Sequence, residues 1–175
     1  MKIYRLTPQT MSPELSKLTS LLQNAVTNGA SIGFLLPLSD EEALAYWQDV
    51  AEAIESPYRI MLIAKVDDEL AGTVQLDLAS RANGSHRAEI IKLMVHTSFR
   101  KQGIAQALMN AIEAEAKPAG RTTLVLDTRE GDPSEKLYTK LGYHRAGTIP
   151  EYARSVNGQL DATVFMYKLL ANSKA

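Results

Sequence analysis

The chain of 175 residues contains no cysteine. That excludes a disulfide frame, a thiolate nucleophile and any zinc site built on cysteine, and it suits a reducing compartment. An excess of one charge is also missing: 19 Lys and Arg stand against 20 Asp and Glu, so no general attraction to nucleic acid or to an anionic membrane is expected. No apolar run is long enough to cross a bilayer. The start, Met1-Lys2-Ile3-Tyr4-Arg5, leads into a polar stretch and not into the apolar core of a signal peptide. Repeats, low-complexity tracts and a composition break are absent too. The three histidines, His86, His96 and His144, lack metal spacing. Neither Gly-x-x-x-x-Gly-Lys-Ser/Thr nor Gly-x-Gly-x-x-Gly occurs, which argues against a nucleotide-binding α/β domain. A single cytoplasmic globular domain spanning residues 1–175 is the expectation.

What is present is a succession of periodic segments. Residues 3–6 read as a short strand. Residues 7–13 read as a turn, with Ser12 capping a helix and Pro13 in its first position. Leu15, Leu18, Leu22 and Val26 recur every three or four residues, one face of that helix, and Asn28-Gly29 stops it. Asp40 is placed to cap a second helix with Leu44, Trp47, Val50, Ala51 and Ile54 as its apolar face, ended by Ser56-Pro57. Residues 59–66, 70–78 and 87–95 read as consecutive strands. In the second of them, alternation sends Val74, Leu76 and Leu78 to one face and Thr73, Gln75 and Asp77 to the other. A helix follows with Ile104, Leu108 and Ile112 on one stripe, then a strand over residues 122–127. Asp132, Pro133 and Glu135 form a capping-box pattern for a last helix, which Gly142 ends. Residues 143–149 and 162–169 close as strands. The three-strand run implies antiparallel pairing. The strand–helix–strand step through residues 90–126 implies parallel neighbours with a right-handed crossover. The predicted fold is α/β: a mixed, mostly antiparallel twisted sheet flanked by helices.

One stretch carries chemistry on its own. Arg100-Lys101-Gln102-Gly103-Ile104-Ala105 joins an apolar strand to a helix start. Free N–H groups and the positive end of a helix dipole converge there, an anion site suited to a phosphate or pyrophosphate. Gly103 and Ala105 leave room for a ligand to approach the backbone.

This loop and the order of elements around it resemble the GNAT superfamily of acyl-CoA-dependent N-acyltransferases. Arg100-x-x-Gly103-x-Ala105 matches the family's pyrophosphate loop, Gln/Arg-x-x-Gly-x-Gly/Ala. Leu137-Tyr138-x-Lys140-Leu141-Gly142-Tyr143 resembles its Leu-Tyr-x-Lys-Leu-Gly-Phe segment. Together the likeness covers nearly the whole chain. Further pieces resemble the tabtoxin-resistance acetyltransferases, which act on the amine of a small amino-acid-like β-lactam toxin. They are residues 28–34 (Asn-Gly-Ala-Ser-Ile-Gly-Phe), Arg87-Ala88-Glu89 with Lys92-Leu93-Met94-Val95, Leu126-Asp127-Thr128 and Pro150-x-Tyr152.

The resemblance implies acetyl-CoA as acetyl donor, with no metal, and a small-molecule amine as acceptor. It implies central strands that splay apart around the donor, and a homodimer. Leu93, Met94 and Val95 would lie along the pantetheine arm, with the N–H near Met94 aimed at the thioester oxygen. Arg100, Lys101, Gln102, Gly103, Ile104 and Ala105 would hold the pyrophosphate, with Ser134 and Lys136 as further CoA contacts. Glu89 and Asp127 are the candidate bases for a protonated amine, and proximity between them would raise one pKa. Tyr138 fits the family's general acid. Phe34, Arg129 and Tyr152 are candidates for the acceptor pocket. Without cysteine an acyl-enzyme is disfavoured, so direct attack in a ternary complex is the simpler route. Polyamines, aminoglycosides and peptide amines stay open as acceptors, and a non-catalytic acyl-CoA-binding module is the rival reading.

Overall fold

The structure, a computed structural model, describes residues 1–170. In chain order the elements are β1 (Lys2–Arg5), α1 (Pro8–Met11), α2 (Leu15–Thr27), α3 (Asp40–Ala53), β2 (Arg59–Val66), β3 (Glu69–Leu78), β4 (Arg87–Val95), α4 (Ile104–Ala116), β5 (Thr123–Arg129), α5 (Pro133–Lys140), β6 (His144–Arg154) and β7 (Leu160–Leu169). The seven strands form one sheet in the order β1-β2-β3-β4-β5-β7-β6. β4 and β5 run parallel and the other neighbours run antiparallel. The expected mixed α/β architecture is therefore what forms. Among the described residues no helix is long and apolar enough to cross a membrane.

Each face of the sheet carries its own apolar layer. On one face Ile60, Leu62, Val74, Leu76, Leu78, Ile90, Leu124 and Leu126 pack on Leu108, Met109 and Ile112 of α4 and on Tyr138 of α5. On the other, Met61, Ile63, Leu70 and Met94 pack under Met11 and the buried stripes of α2 and α3. β3 separates its side chains as its alternation requires. Val74, Leu76 and Leu78 enter the first layer, while Thr73 and Gln75 are buried on the opposite side with their polar atoms bonded.

Three helix starts differ from expectation, each for a local reason. Thr7, not Ser12, opens the first helix: it shares a capping box with Thr10, and Pro8 takes the first turn. Ser39 caps α3 through a capping box with Glu42, leaving Asp40 one residue inside, where its charge meets the helix dipole. In α5 Asp132 caps by accepting from Ser134 N–H. Glu135 misses the cap residue and accepts from Gly131 N–H at 3.2 Å instead. The apolar face of α3 forms as expected at Trp47, Val50, Ala51 and Ile54 and departs only at Leu44. Ala43, Trp47 and Val50 are buried while Leu44 is exposed, because the spacing of four and three that includes Trp47 selects Ala43.

Two irregularities at the sheet's centre set the stage for function. The β4–β5 ladder has only the pairs Arg87↔Thr123, Ala88↔Leu124 and Glu89↔Val125. Beyond them β4 continues along β3 to Val95, and β5 continues along β7 to Arg129, so the sheet opens into a V. In β4 the register steps from Gln75↔Ile91 to Thr73↔Met94, three residues against two. That is a β-bulge, and Lys92 within it has φ +55°.

Candidate active site

Every second residue of an antiparallel ladder hydrogen-bonds to its neighbour strand. His96 N–H donates to Ala71 O at 2.9 Å, so Val95–Gly72 is a non-bonded pair and Met94–Thr73 the next bonded one. The extra residue in the bulge thus turns Met94 N–H toward β3, and the Met94 side chain is buried under α2 and α3. Met94 N–H itself therefore faces away from the split. The backbone groups of Leu93 and Val95 face into it, and Leu93 also lines the cleft.

The loop lies at the open end of the V. A 3-10 turn, Thr97–Phe99, follows β4. Asn24 of α2 holds that turn: its Oδ1 accepts from Thr97 N–H and its Nδ2 donates to Thr97 Oγ1, both at 3.0 Å. Lys101 (φ +62°) and Gly103 (φ +80°) then take left-handed conformations. Gly103 is the N-cap of α4, and no side chain satisfies that helix start. Among the described residues none of the N–H groups from Lys101 to Gln106 donates to a backbone acceptor. Arg100, Lys101, Gln102 and Gly103 are exposed, Ile104 is buried and Ala105 half-buried. A Cβ on Gly103 would meet nothing within 4 Å, so the space over the loop is open. Unsatisfied N–H groups, a helix N-terminus and two basic side chains suit an anion of the pyrophosphate kind.

Inside the V lies a cleft of about 360 Å³. Ile91, Lys92 and Leu93 form one wall, Asp127, Thr128 and Arg129 the other; Ser134 and Tyr138 stand at the α5 side, and Tyr152 closes one edge. Residues 30–33, between α2 and α3, complete the lining. Ser134 Oγ is 2.6 Å from Thr128 Oγ1 and 2.9 Å from Asp132 Oδ1. Arg129 is held by Asp132 at 3.2 Å and Asp161 at 3.7 Å. Tyr152 packs edge-on against Phe165, 5.4 Å between centroids. Phe34 borders an adjoining recess together with Arg129.

The titratable groups are displaced from their ordinary values. Asp127 is pushed up by burial, a rise that the Lys92 charge and a backbone hydrogen bond oppose. Glu89 is pushed up by burial, then by the negative charges of Asp127 and Asp77, while Arg87 and Arg59 pull it down. Both carboxylates keep a solvent-exposed edge, which limits these shifts. Tyr138, 7% exposed, is pushed up by burial and then by Asp132 and Asp127, so its hydroxyl keeps its proton at neutral pH. Lys92 is pushed down by burial, against the pull of Asp127.

Of the residues singled out from sequence, Leu93, Asp127, Arg129, Ser134, Tyr138 and Tyr152 meet in this cleft. Glu89 does not line it. As the last β4 residue paired to β5 it sits at the vertex of the V and opens into a recess shared with Asp77 and Arg87. Lys136 is on the outer side of α5, in a shallow recess with Glu135 and Lys140, away from the cleft. Val95 packs against the α4 layer. Missed altogether were Lys92 as a cleft residue and the chain beside it: Arg59 donates to Gln75 at 2.8 Å and to Asp77 at 3.1 Å, and Gln75 donates to Tyr46 Oη at 3.0 Å. The signals for Lys92 in the sequence were a lysine inside the apolar run 90–95 and its place in the segment Lys92-Leu93-Met94-Val95. Among the described residues no cluster of His, Asp and Glu could hold a metal.

A parallel pair that separates beside a helix start with free N–H groups leaves an opening for an elongated anionic ligand. Comparison with known proteins narrows the reading. The profile of the acetyltransferase (GNAT) family matches residues 23–143. An uncharacterized N-acetyltransferase of Azospirillum brasilense is 32% identical over 119 residues, 67% of this chain and 69% of that protein. The ribosomal-protein-alanine N-acetyltransferase of Brucella melitensis superposes with TM-score 0.80 at 21% identity, covering 97% of this chain and 100% of that one. An aminoglycoside 6'-N-acetyltransferase complexed with coenzyme A superposes with TM-score 0.73 at 22% identity, covering all of both chains. The chain belongs to the GNAT acetyltransferase family.

Proposed function

We propose that this protein transfers the acetyl group of acetyl-CoA to the amine of a small molecule by direct attack within a ternary complex. The observation that carries this reading is the open β4–β5 V beyond Glu89↔Val125, with the unsatisfied N–H groups of Lys101 to Gln106 at its mouth. Acetyl-CoA, when bound, supplies an activated acetyl thioester. In this reading the loop and the charges of Arg100 and Lys101 hold its pyrophosphate, and the free backbone groups of Leu93 and Val95 run beside its arm. Leu93 N–H, adjacent to the bulge, takes the role of the donor where negative charge develops on the thioester oxygen. Asp127 or Glu89 accepts the proton of the incoming ammonium, a task that values raised toward neutrality favour. Tyr138 holds a proton at its hydroxyl for the departing sulfur. Ser134 lies within the same wall, and Lys136, outside the cleft, shares its recess with Lys140, which donates to Gln106 at the start of α4, and is retained as a contact to the outer part of CoA.

For the acceptor we favour a small amino-acid-like amine, as in the tabtoxin-resistance acetyltransferases. The cleft is modest in size and its charges balance, Lys92 and Arg129 against Asp127 and Asp132, so it lacks the net negative charge that would attract polycations such as polyamines and aminoglycosides. Phe34, Arg129 and Tyr152 then border the acceptor. A thiol-release assay with acetyl-CoA over a panel of β-lactam amino acids, polyamines, aminoglycosides and peptides tests the reading. Turnover confined to amino-acid-like amines is expected. Tight CoA binding with no turnover on any amine would favour an acyl-CoA-binding module.

A further inference from the structure

Lys92 stands where the backbone least favours it. Its φ of +55° lies in the left-handed region that glycine or asparagine tolerates best, yet the position carries a long charged side chain inside the sheet. That side chain is fully engaged. Its Nζ donates to the carbonyl of Ile32, lies 5.4 Å from the centre of the Phe34 ring and 5.7 Å from that of Tyr46, and would be 3.2 Å from a Cβ on Gly33. Phe34 and Tyr46 pack edge-on at 5.1 Å. One ammonium therefore gathers the loop between α2 and α3, the α3 aromatic and the β4 bulge, and it shares the cleft with Asp127.

We propose that Lys92 is a positioning residue: its ammonium pins residues 30–34 as the roof of the acceptor cleft and presents a fixed positive charge to Asp127 on the facing strand. This rests on the acetyl-transfer reading only for its kinetic consequence. The tether is specific because a half-buried ammonium over two rings has one direct hydrogen-bond acceptor, and Ile32 O is that acceptor. The charge matters because Asp127 faces few others. Lys92 of β4 opposes its burial, Glu89 of β4 adds a like charge nearby, Tyr138 of α5 stays neutral, and Arg129 is spent on Asp132 and Asp161. Arg59 of β2 faces Lys92 itself and is paired with Asp77. Removing the Lys92 charge leaves only a backbone hydrogen bond to oppose the burial of Asp127, so its carboxyl titrates at higher pH.

The test compares wild type with Lys92→Met, which keeps the stem, and Lys92→Arg, which keeps the charge. Carboxyl ¹³C NMR of Asp127 in the free protein is expected to move upward in pH for Lys92→Met and to return toward wild type for Lys92→Arg. In turnover, the amine KM of Lys92→Met rises roughly tenfold, the effect of losing one charged hydrogen bond. Its acid limb moves to higher pH and its affinity for CoA is unchanged. An Asp127 titration identical in wild type and Lys92→Met, or an amine KM unmoved by that change, would overturn the proposal. If wild type turns over no amine, the acetyl-transfer reading fails, and the NMR titration still decides the Lys92–Asp127 coupling. A Lys92→Met protein that fails to fold is replaced by Lys92→Gln in the same titration, with the same two outcomes.

Discussion

At the scale of single residues the site is a set of groups whose charges depend on one another. Glu89 is raised partly by Asp127, so the two carboxylates separate by mutation. A carboxyl raised above its ordinary value takes up its proton as pH falls through that raised value, and a base that needs the ionised form loses activity there. If Glu89 is the base, Asp127→Asn removes a neighbouring negative charge and moves the acid limb of kcat/KM to lower pH. Glu89→Gln then lowers kcat by roughly a hundredfold or more. The opposite pattern, loss of the limb in Asp127→Asn alone, assigns the base to Asp127. Tyr138→Phe keeps the ring that packs 6.0 Å from Tyr143 and removes only the acidic proton. Its kcat is expected to fall by roughly a hundredfold while amine KM and thermal stability hold; unchanged single-turnover chemistry would count against the acid role. Tyr138 and Asp127 were legible in the chain because motifs surround them. Lys92 was not, because its partners Ile32, Phe34, Tyr46 and Asp127 come from separate segments and meet only in the fold.

At the scale of elements, β4 does most to shape the site. Its register shift decides which backbone groups face the donor, and Gly72 of β3 pairs with Val95 just beyond the irregularity. A Cβ there would stand 2.6 Å from Met94 O, 3.2 Å from Leu108 Cδ1 and 3.3 Å from Val95 Cγ2. The first of these is backbone, so the strands themselves must shift. Gly72→Ala is expected to destabilise by about 1–3 kcal/mol in urea unfolding, and to weaken CoA binding more than a surface change of equal stability cost. The existence and order of the elements followed from apolar periodicity. Bounds and caps were less legible. Ser39 and Asp40 are both competent caps, and only the reach of Glu42 back to Ser39 N–H separates them. β6 and β7 extend beyond the expected strands through pairs such as Arg154↔Leu160, since each strand supplies the other's hydrogen-bond partners.

At the scale of the whole molecule the V is an incomplete sheet, and a ligand that fills it replaces missing strand contacts. Binding to the native state alone stabilises by mass action. With CoA at one hundred times its Kd the gain is about 2.7 kcal/mol, a rise in Tm of roughly 5–10 °C for a chain of this size. Differential scanning fluorimetry reads the shift. Amide exchange should slow at Leu93 and Val95, whose N–H groups face the split, and the gain should shrink with salt because Arg100 and Lys101 are exposed. A CoA-induced shift without protection in β4 would place the ligand elsewhere.

The amino-acid sequence by itself determined the alternation of strands and helices, the candidate anion loop and the family, because these are written in local spacing: period two, period three to four, and six consecutive residues at a helix start. Tertiary structure alone decided where β4 and β5 part, which N–H groups the bulge turns inward, that Lys136 stands outside the cleft, and that Lys92 bridges the roof to the cleft. Those features depend on ladder register and on contacts between segments distant in the chain. A single bulged residue reverses the facing of the backbone groups beyond it, and no local pattern records that reversal.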